Sequence, residues 1–428
     1  MEKLKMTTER LFLRSPNVNV CFRIIVEGIF DPERISVALE NVCKRHPLLK
    51  CSIEIDNDFC AWFVPNVDWI GIEYYKTEEM SDWKVWYKKT DDTPFDILQG
   101  PLARICVISG NSQTEIIILG HHIIGDGVGY LNMAKDVLLA LDNKLEAVPQ
   151  IPPANDKFNK GKKLKLLSRL YTKKLNNEWR KNPVHLSETD YFEFFKDYRC
   201  KFVPRIYTNF INENDFKKII EVCKSNKLTV NELVTAAFAT AFATDRELRI
   251  GVAASTRGEL ASKPYYCMGN YVTGVSAKIN SLSKNDFMAN VKNITEILRK
   301  KLNNVYTRHL IVNFLREFDN NLIESIMFGS YGNYQLPISK KIGELIAEGL
   351  DGKGLGISNL GRHEINNFNS FRLLDLQFIG PAFPANLLSV SIITVNNKLN
   401  ICLRYNETEI ETDTVITIYK KAVDLMVY

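Results

Sequence analysis

The sequence predicts an α+β protein built from two halves. Three observations carry this. Strand and helix patterns mix in each half without regular β-α alternation. A proline- and polar-rich stretch, "DNKLEAVPQIPPANDKFNK" at 142–160, separates the two halves. The most distinctive segment, "LGHHIIGDGVG" (Leu119–Gly129), stands where an apolar strand breaks toward a helix. At 428 residues the chain is long enough for two domains, each with its own core.

The elements follow in order. Asp31-Pro32-Glu33 predicts a helix start, with Asp31 as cap and Pro32 at the first helical position. Its apolar face is Ile35, Ala38, Leu39 and Val42, and "KRHP" ends it before a strand, "LKCSIEI". "LARICVIS", "GNSQ" and "TEIIIL" read as strand, turn and strand. After Gly127, the spacing of Val128, Leu131, Ala134, Leu138 and Leu141 is helical. The second half begins near Val203. Thr229 and Glu232 form a capping box before an all-apolar helix, "ELVTAAFATAFA". Strands are expected at "RIGVAAS" and "YVTGVSAKI", then a helix over about 285–302 and Gly- and Tyr-rich loops at "FGSYGNYQ" and "EGLDGKGLG". "LLSVSIITV" and "LNICLRY" flank a hairpin turn at "NNK", and a final helix runs from about Thr412.

Composition narrows the class. The chain is 45% hydrophobic and 25% charged, with a net charge of +5. The stretch Lys157 to Lys181 holds ten basic residues against Glu178 alone, so it carries +9 and the remainder about −4. That distribution argues against nucleic-acid binding by the whole protein. Nine scattered cysteines, never spaced C-x-x-C, read as reduced thiols of a cytoplasmic protein rather than a disulfide or zinc framework. "MEKLKMTTER" lacks the apolar core of a signal peptide, and no apolar run reaches the ~20 residues of a membrane span.

The paired histidines admit three chemistries. Neighbours on an extended strand point to opposite faces, and no further ligand cluster accompanies them, so no metal is expected. "GDGVG" lacks the Lys-Ser/Thr of a phosphate loop. The third reading is a general base: one imidazole projects into a cavity while Asp126 and Gly127 shape the turn that presents it. No nucleophile motif accompanies it, which favours direct transfer over a covalent intermediate.

With these residues in view, the chain resembles the chloramphenicol acetyltransferase-like superfamily, which includes nonribosomal peptide condensation domains and alcohol O-acyltransferases. His121-His122-Ile-Ile-Gly-Asp126-Gly127 matches the HHxxxDG signature. "KRHPLLKCSI", "GPLARICVIS", "MGNYVTGVSAKI" and "SNLG" (Ser358–Gly361) resemble family segments in family order. The resemblance implies two acetyltransferase-like halves in a V-shaped pseudo-dimer with a central tunnel. The first covers 1–150, a linker with the basic segment covers 151–202, and the second covers 203–428. It implies that His122 is the base, that His121 is structural, and that Asp126 pairs with Arg257 while Gly127 leaves room for the backbone. Ser358 and Asn359 become candidates for oxyanion or donor contacts. No tightly bound cofactor is implied; coenzyme A or phosphopantetheine enters as a thioester co-substrate.

The implied activity is a stand-alone acyltransferase moving an acyl group from acyl-CoA or an acyl or peptidyl carrier protein to a small alcohol or amine. Two alternatives remain open: a free-standing condensation enzyme of peptide or lipopeptide synthesis, and a non-catalytic docking module. Thr273 stands where condensation-type motifs usually carry Asn, which weakens the first alternative. The intact motif weakens the second, because docking requires no base. In the basic segment, Leu164, Leu167, Leu170/Tyr171 and Leu175 recur at near-helical spacing. A cationic amphipathic helix is expected there, with Leu164, Leu167, Tyr171 and Leu175 as its apolar face toward an acidic carrier or, through 157–181, a peripheral membrane contact.

Overall fold

A computed structural model describes every residue except 1, 8, 69–70, 154–163, 244–246, 347–353, 384–385 and 428. Lys157, Lys160, Lys162 and Lys163 of the basic segment therefore lie outside the described residues. The first lobe runs β1 (Leu4–Lys5), α1 (Arg10–Leu13), β2 (Asn19–Glu27), α2 (Pro32–Arg45), β3 (Ser52–Ile55), β4 (Ala61–Val64), β5 (Ile72–Lys76), α3 (Trp83–Asp91), β6 (Ala103–Ser109), β7 (Gln113–His121) and α4 (Gly127–Leu141). Helices α5 (Leu166–Trp179) and α6 (Glu188–Lys201) follow. The second lobe continues with β8 (Pro204–Ile211), α7 (Glu213–Ser225), α8 (Val230–Phe242), β9 (Leu248–Ser255), β10 (Val272–Ile279) and α9 (Phe287–Asn303). Four helices come next: α10 (Val305–Arg308), α11 (Leu310–Glu317), α12 (Asn320–Tyr331) and α13 (Pro337–Ile346). The chain closes with β11 (Gly354–His363), β12 (Leu373–Ile379), β13 (Asn386–Val395), β14 (Lys398–Asn406) and α14 (Thr412–Val427).

The expected α+β class is what the molecule adopts. Of three sheets, one has the order β12-β2-β7-β6-β5, a second β10-β9-β11-β13-β14-β8, and a small third β1-β4-β3. Alternation along β2 sets the layers. Val20, Phe22, Ile24 and Val26 enter the first core with α2 and α4, while Cys21 faces a smaller cluster with Trp83, Trp86 and Cys402. The second core lies between its sheet and helices α7, α8, α9 and α14. The Asp31 cap accepts from Arg34 N, and the Thr229–Glu232 capping box is present on both sides. Asn396 and Asn397, at φ 48° and 65°, make the two-residue turn between β13 and β14.

Two features depart from the sequence reading. The stretch "FGSYGNYQ", expected as loop, is helix α12 as far as Tyr331, and it packs with α5, α6, α11 and α13 around a third core. Of "EGLDGKGLG", residues 348–353 lie outside the described residues and Gly354 opens β11. The second departure is β12, which belongs to the second half by sequence but pairs antiparallel with β2 in the first sheet.

A buried charge cluster joins the lobes beside that crossover. Arg404 on β14 donates to Asp91 at the end of α3 (2.7 Å), to Asn17 Oδ1 (2.6 Å) and to the Asn19 carbonyl (3.1 Å). Arg199 on α6 adds a second cation at 3.1 Å from Asp91. Burial alone would raise the Asp91 pKa, but Arg404 and Arg199 beside it hold the carboxyl below its ordinary value. Asp91→Ala strands the buried Arg404 guanidinium, while Arg199 keeps Asp92 at 3.1 Å; unfolding should become easier by about 3–5 kcal/mol in a denaturant titration. Because the folded pKa is depressed, the stabilisation from Asp91 is complete above the ordinary carboxylate pKa. It disappears as pH falls through the lower folded value, so the gap between wild type and variant should narrow on acidification.

Candidate active site

Strand β7 delivers His121 and His122 to a turn that Asp126 closes. Asp126 is the N-cap of α4, and its Oδ1 accepts from Gly129 N at 2.8 Å. Helix α4 holds the strand end in return, since Tyr130 Oη donates to the His121 carbonyl at 3.0 Å.

The two histidines have different surroundings. His121 is buried, its Nδ1 accepts from Ile123 N (3.3 Å), and its ring stands edge-on to Phe95. Among the described residues its Nε2 finds no hydrogen-bond partner. Burial, with His122 and Arg104 nearby, pushes its pKa down to about 3, so it is a neutral packing group.

His122 meets residues from both lobes. Phe12 of α1 stacks on the imidazole with centroids 4.7 Å apart, and Phe383 tilts against it at 6.5 Å. The Asn270 side-chain amide lies 3.2 Å from His122 Nδ1. Burial lowers the pKa below the ordinary 6.5, opposed by the Asp126 carboxylate and by a hydrogen bond from the ring to its own backbone carbonyl. The ring is therefore neutral at neutral pH. A proton on Nδ1 serves that carbonyl and leaves the Nε2 lone pair free. The atom facing Nδ1 is Asn270 Nδ2, while Asn270 Oδ1 accepts from Val272 N at 3.4 Å; the Nδ1–H tautomer therefore requires the amide to turn over and give up the Val272 contact.

Asp126 and Arg257 form a buried ion pair across the lobes at 2.6 Å. The remaining Asp126 oxygen accepts from Tyr271 N (2.9 Å), and Asp126 N donates to the Gly269 carbonyl (3.2 Å). Arg257 also donates to the carbonyls of Pro264, Cys267 and Gly269, and its guanidinium lies 4.6 Å from the Tyr271 ring centroid. The Asp126 contacts tie the 264–271 loop of the second lobe to the histidine turn of the first, and the other Arg257 contacts gather that loop around the guanidinium. Gly127 has no side chain because a Cβ there would come within 2.9 Å of Leu360 and 3.2 Å of Phe378.

The other nominated residues lie on β11. Asn359 Nδ2 donates to Asn231 (3.1 Å) and its Oδ1 accepts from Gly361 N (2.8 Å), so its amide is engaged within the second lobe. Ser358 pairs in register with Ser391 of β13 and is half-buried. Neither hydrogen-bonds to His122. Thr273 donates its hydroxyl to the Arg308 carbonyl at 2.7 Å, anchoring α10 rather than serving the histidine. Among the described residues, no group of three His, Cys, Asp or Glu side chains could hold a metal ion. Phe12, Phe383 and Asn270 went unmarked in the sequence. Asn270 was within reach, because it stands inside the "MGNYVT" segment already singled out, three residues before Thr273.

A family profile described as condensation domain matches residues 7–426. The chain belongs to the condensation-domain family. This condensation domain is 26% identical over 139 residues to nonribosomal peptide synthetase 5 of Gibberella zeae, covering 32% of the chain and 1% of that protein. It is 30% identical over 121 residues to bacitracin synthase 3 of Bacillus licheniformis, covering 28% and 2%. It thus spans only a small fraction of the length of these curated relatives. Among solved structures, the trichothecene 15-O-acetyltransferase TRI3 of Fusarium sporotrichioides superposes with a TM-score of 0.67 at 13% identity, covering 99% of this chain and 94% of that one. The first condensation domain of the calcium-dependent antibiotic synthetase gives 0.65 at 12% identity, covering 99% and 95%. At these identities the likeness is one of fold.

Two outcomes test the site. In a double-mutant cycle, Asp126→Ala and Arg257→Ala should each destabilise by about 3–5 kcal/mol, and the double variant should cost far less than their sum. Additive losses would show that the pair is not coupled. In an NMR titration, the His122 ring should protonate below pH 6.5. Asn270→Asp should raise that midpoint, because a carboxylate at Nδ1 favours the imidazolium.

Proposed function

We propose that this condensation domain is an acyltransferase that moves an acyl group from a thioester to a hydroxyl or amine, with His122 as the general base. The observation that carries the reading is the state of His122: neutral by burial, stacked on Phe12, and with no hydrogen bond to Nε2 among the described residues. As the acceptor oxygen or nitrogen bonds to the thioester carbonyl carbon, its proton passes to His122 Nε2. The tetrahedral adduct then collapses, the carbon–sulfur bond breaks, and the imidazolium returns the proton to the leaving sulfur. The products are the ester or amide and a free thiol. Proton transfer of this kind contributes about 10²–10⁴-fold, and holding the two substrates face to face supplies much of the rest.

Coenzyme A is the donor we favour over a carrier-bound arm. Support comes from Thr273, whose hydroxyl is turned to Arg308 where condensation-type motifs carry Asn, and from the fold shared with the O-acetyltransferase. The second reading is condensation of carrier-bound intermediates, favoured by sequence similarity to peptide synthetases. The starter condensation domain of rhizomide synthetase, solved with C8-CoA and Leu-SNAC, has the same fold at a TM-score of 0.61. Purified protein offered acyl-CoA and acyl-loaded carrier separates the readings by which donor releases thiol. Release from neither would identify a docking module. His122→Ala should lower turnover by roughly 10²-fold or more with the chain still folded by circular dichroism. Turnover near wild type would remove His122 from the role of base.

A further inference from the structure

Helix α5 packs by most of the face expected from its sequence, with Tyr171 and Leu175 on the third core, but Leu167 departs from it. Leu164, just before it, and Leu175 are buried, and Thr172, Asn176 and Trp179 face inward with Leu175. Leu167, expected on the packed face, is 80% exposed, and Leu166 and Leu170 are 70% and 55% exposed. These three leucines and Lys173 and Lys174 fall at i, i+1, i+4, i+7 and i+8, a single outward strip of one helix.

The strip continues onto a neighbour. Lys341 of α13 lies over the Tyr171 ring at 5.7 Å, and one turn further on Leu345 is 48% exposed. Lys165 and Arg169 extend the positive rim, and both are exposed. The opposing acids are weakly engaged: Glu178 stands 4.0 Å from Lys174 and Glu317 3.8 Å from Arg169, while Glu344 is exposed beside Leu345. The leucines form a ridge on a 14-residue helix, flanked by cations.

We infer that α5, with the adjoining edge of α13, is a peripheral docking surface for an anionic phospholipid bilayer. A helix of this kind lies in the plane of the interface, its apolar side chains entering the boundary between headgroups and acyl chains. The lysines and arginine beside them meet the negative surface potential of the leaflet. A convex ridge suits insertion into a fluid layer. An acidic protein partner would instead have to provide a groove for the three leucines. No helix among the described residues is long and apolar enough to cross a membrane, so the contact is superficial. The inference does not rest on the acyl-transfer reading, and its test uses no activity.

The test is co-sedimentation of the full chain with vesicles of equal parts phosphatidylcholine and phosphatidylglycerol, beside vesicles of phosphatidylcholine alone. Binding should favour the anionic vesicles and weaken as salt screens the cations. The triple variant Leu166→Ser, Leu167→Ser, Leu170→Ser should lose at least about tenfold in partitioning, because the two binding signals act together. Lys173→Glu with Lys174→Glu and Lys341→Glu should abolish the preference for anionic lipid. Hydrogen exchange on the wild-type chain provides a readout without mutation: amides of 166–174 should gain protection with anionic vesicles. A chain that stays in the supernatant with anionic vesicles overturns the inference, as does undiminished binding by the serine variant. Protection of 166–174 by an acidic carrier protein but not by vesicles would likewise overturn it and assign the strip to that partner.

Discussion

The carboxylate of Asp126 is the constraint around which the site is arranged. It caps α4, accepts the amide of Tyr271 and neutralises Arg257, so one side chain sets the histidine turn, the helix behind it and the loop opposite. Arg257 is buried with it and reaches three carbonyls of the 264–271 stretch, which compensates a charge that would otherwise be costly to desolvate. Asn270 belongs to that stretch. The position of the group at His122 Nδ1 therefore depends on the Asp126–Arg257 ion pair.

The adjacent histidines show how a strand ending separates two identical side chains. His121 stays on the packed face, where its Nδ1 is occupied by the Ile123 amide. His122 faces the junction, with Phe12 from one end of the chain and Phe383 from near the other. Both are kept neutral by burial, yet only His122 is packed against rings from both ends of the chain. The same burial leaves the other ring packed within the first lobe.

Much of the fold was legible because its signals were local. The Asp31 and Thr229 caps, the apolar runs of β6 and β7 and the Asn396-Asn397 turn follow from residues a few positions apart. The Asp126–Arg257 pair and the motif turn were legible through family resemblance. What failed depended on distant neighbours. Gly329 inside α12 resembled a loop signal, but it is there because a Cβ would press on Leu336 O and Ser339 of the adjoining α13 at 2.9 Å. The leucines of α5 have helical spacing on more than one side, and only the position of the third core decides which are covered. Phe12 carries no mark in its own segment, since its role is set by a ring more than a hundred residues away.

Strand β12 has a consequence for how the molecule is made. It completes the first sheet by pairing with β2, so the partners in that ladder come from opposite ends of the chain. During synthesis, β2 is ready to pair with β7 early, while its other edge stays open until Ile379 has left the ribosome. An unpaired, largely apolar edge is a template for wrong partners. The first lobe thus waits on the second, a delay characteristic of contacts with large sequence separation. Chain halves divided near residue 202 and produced apart would each carry an unfinished surface, β2 on one side and an orphaned β12 on the other.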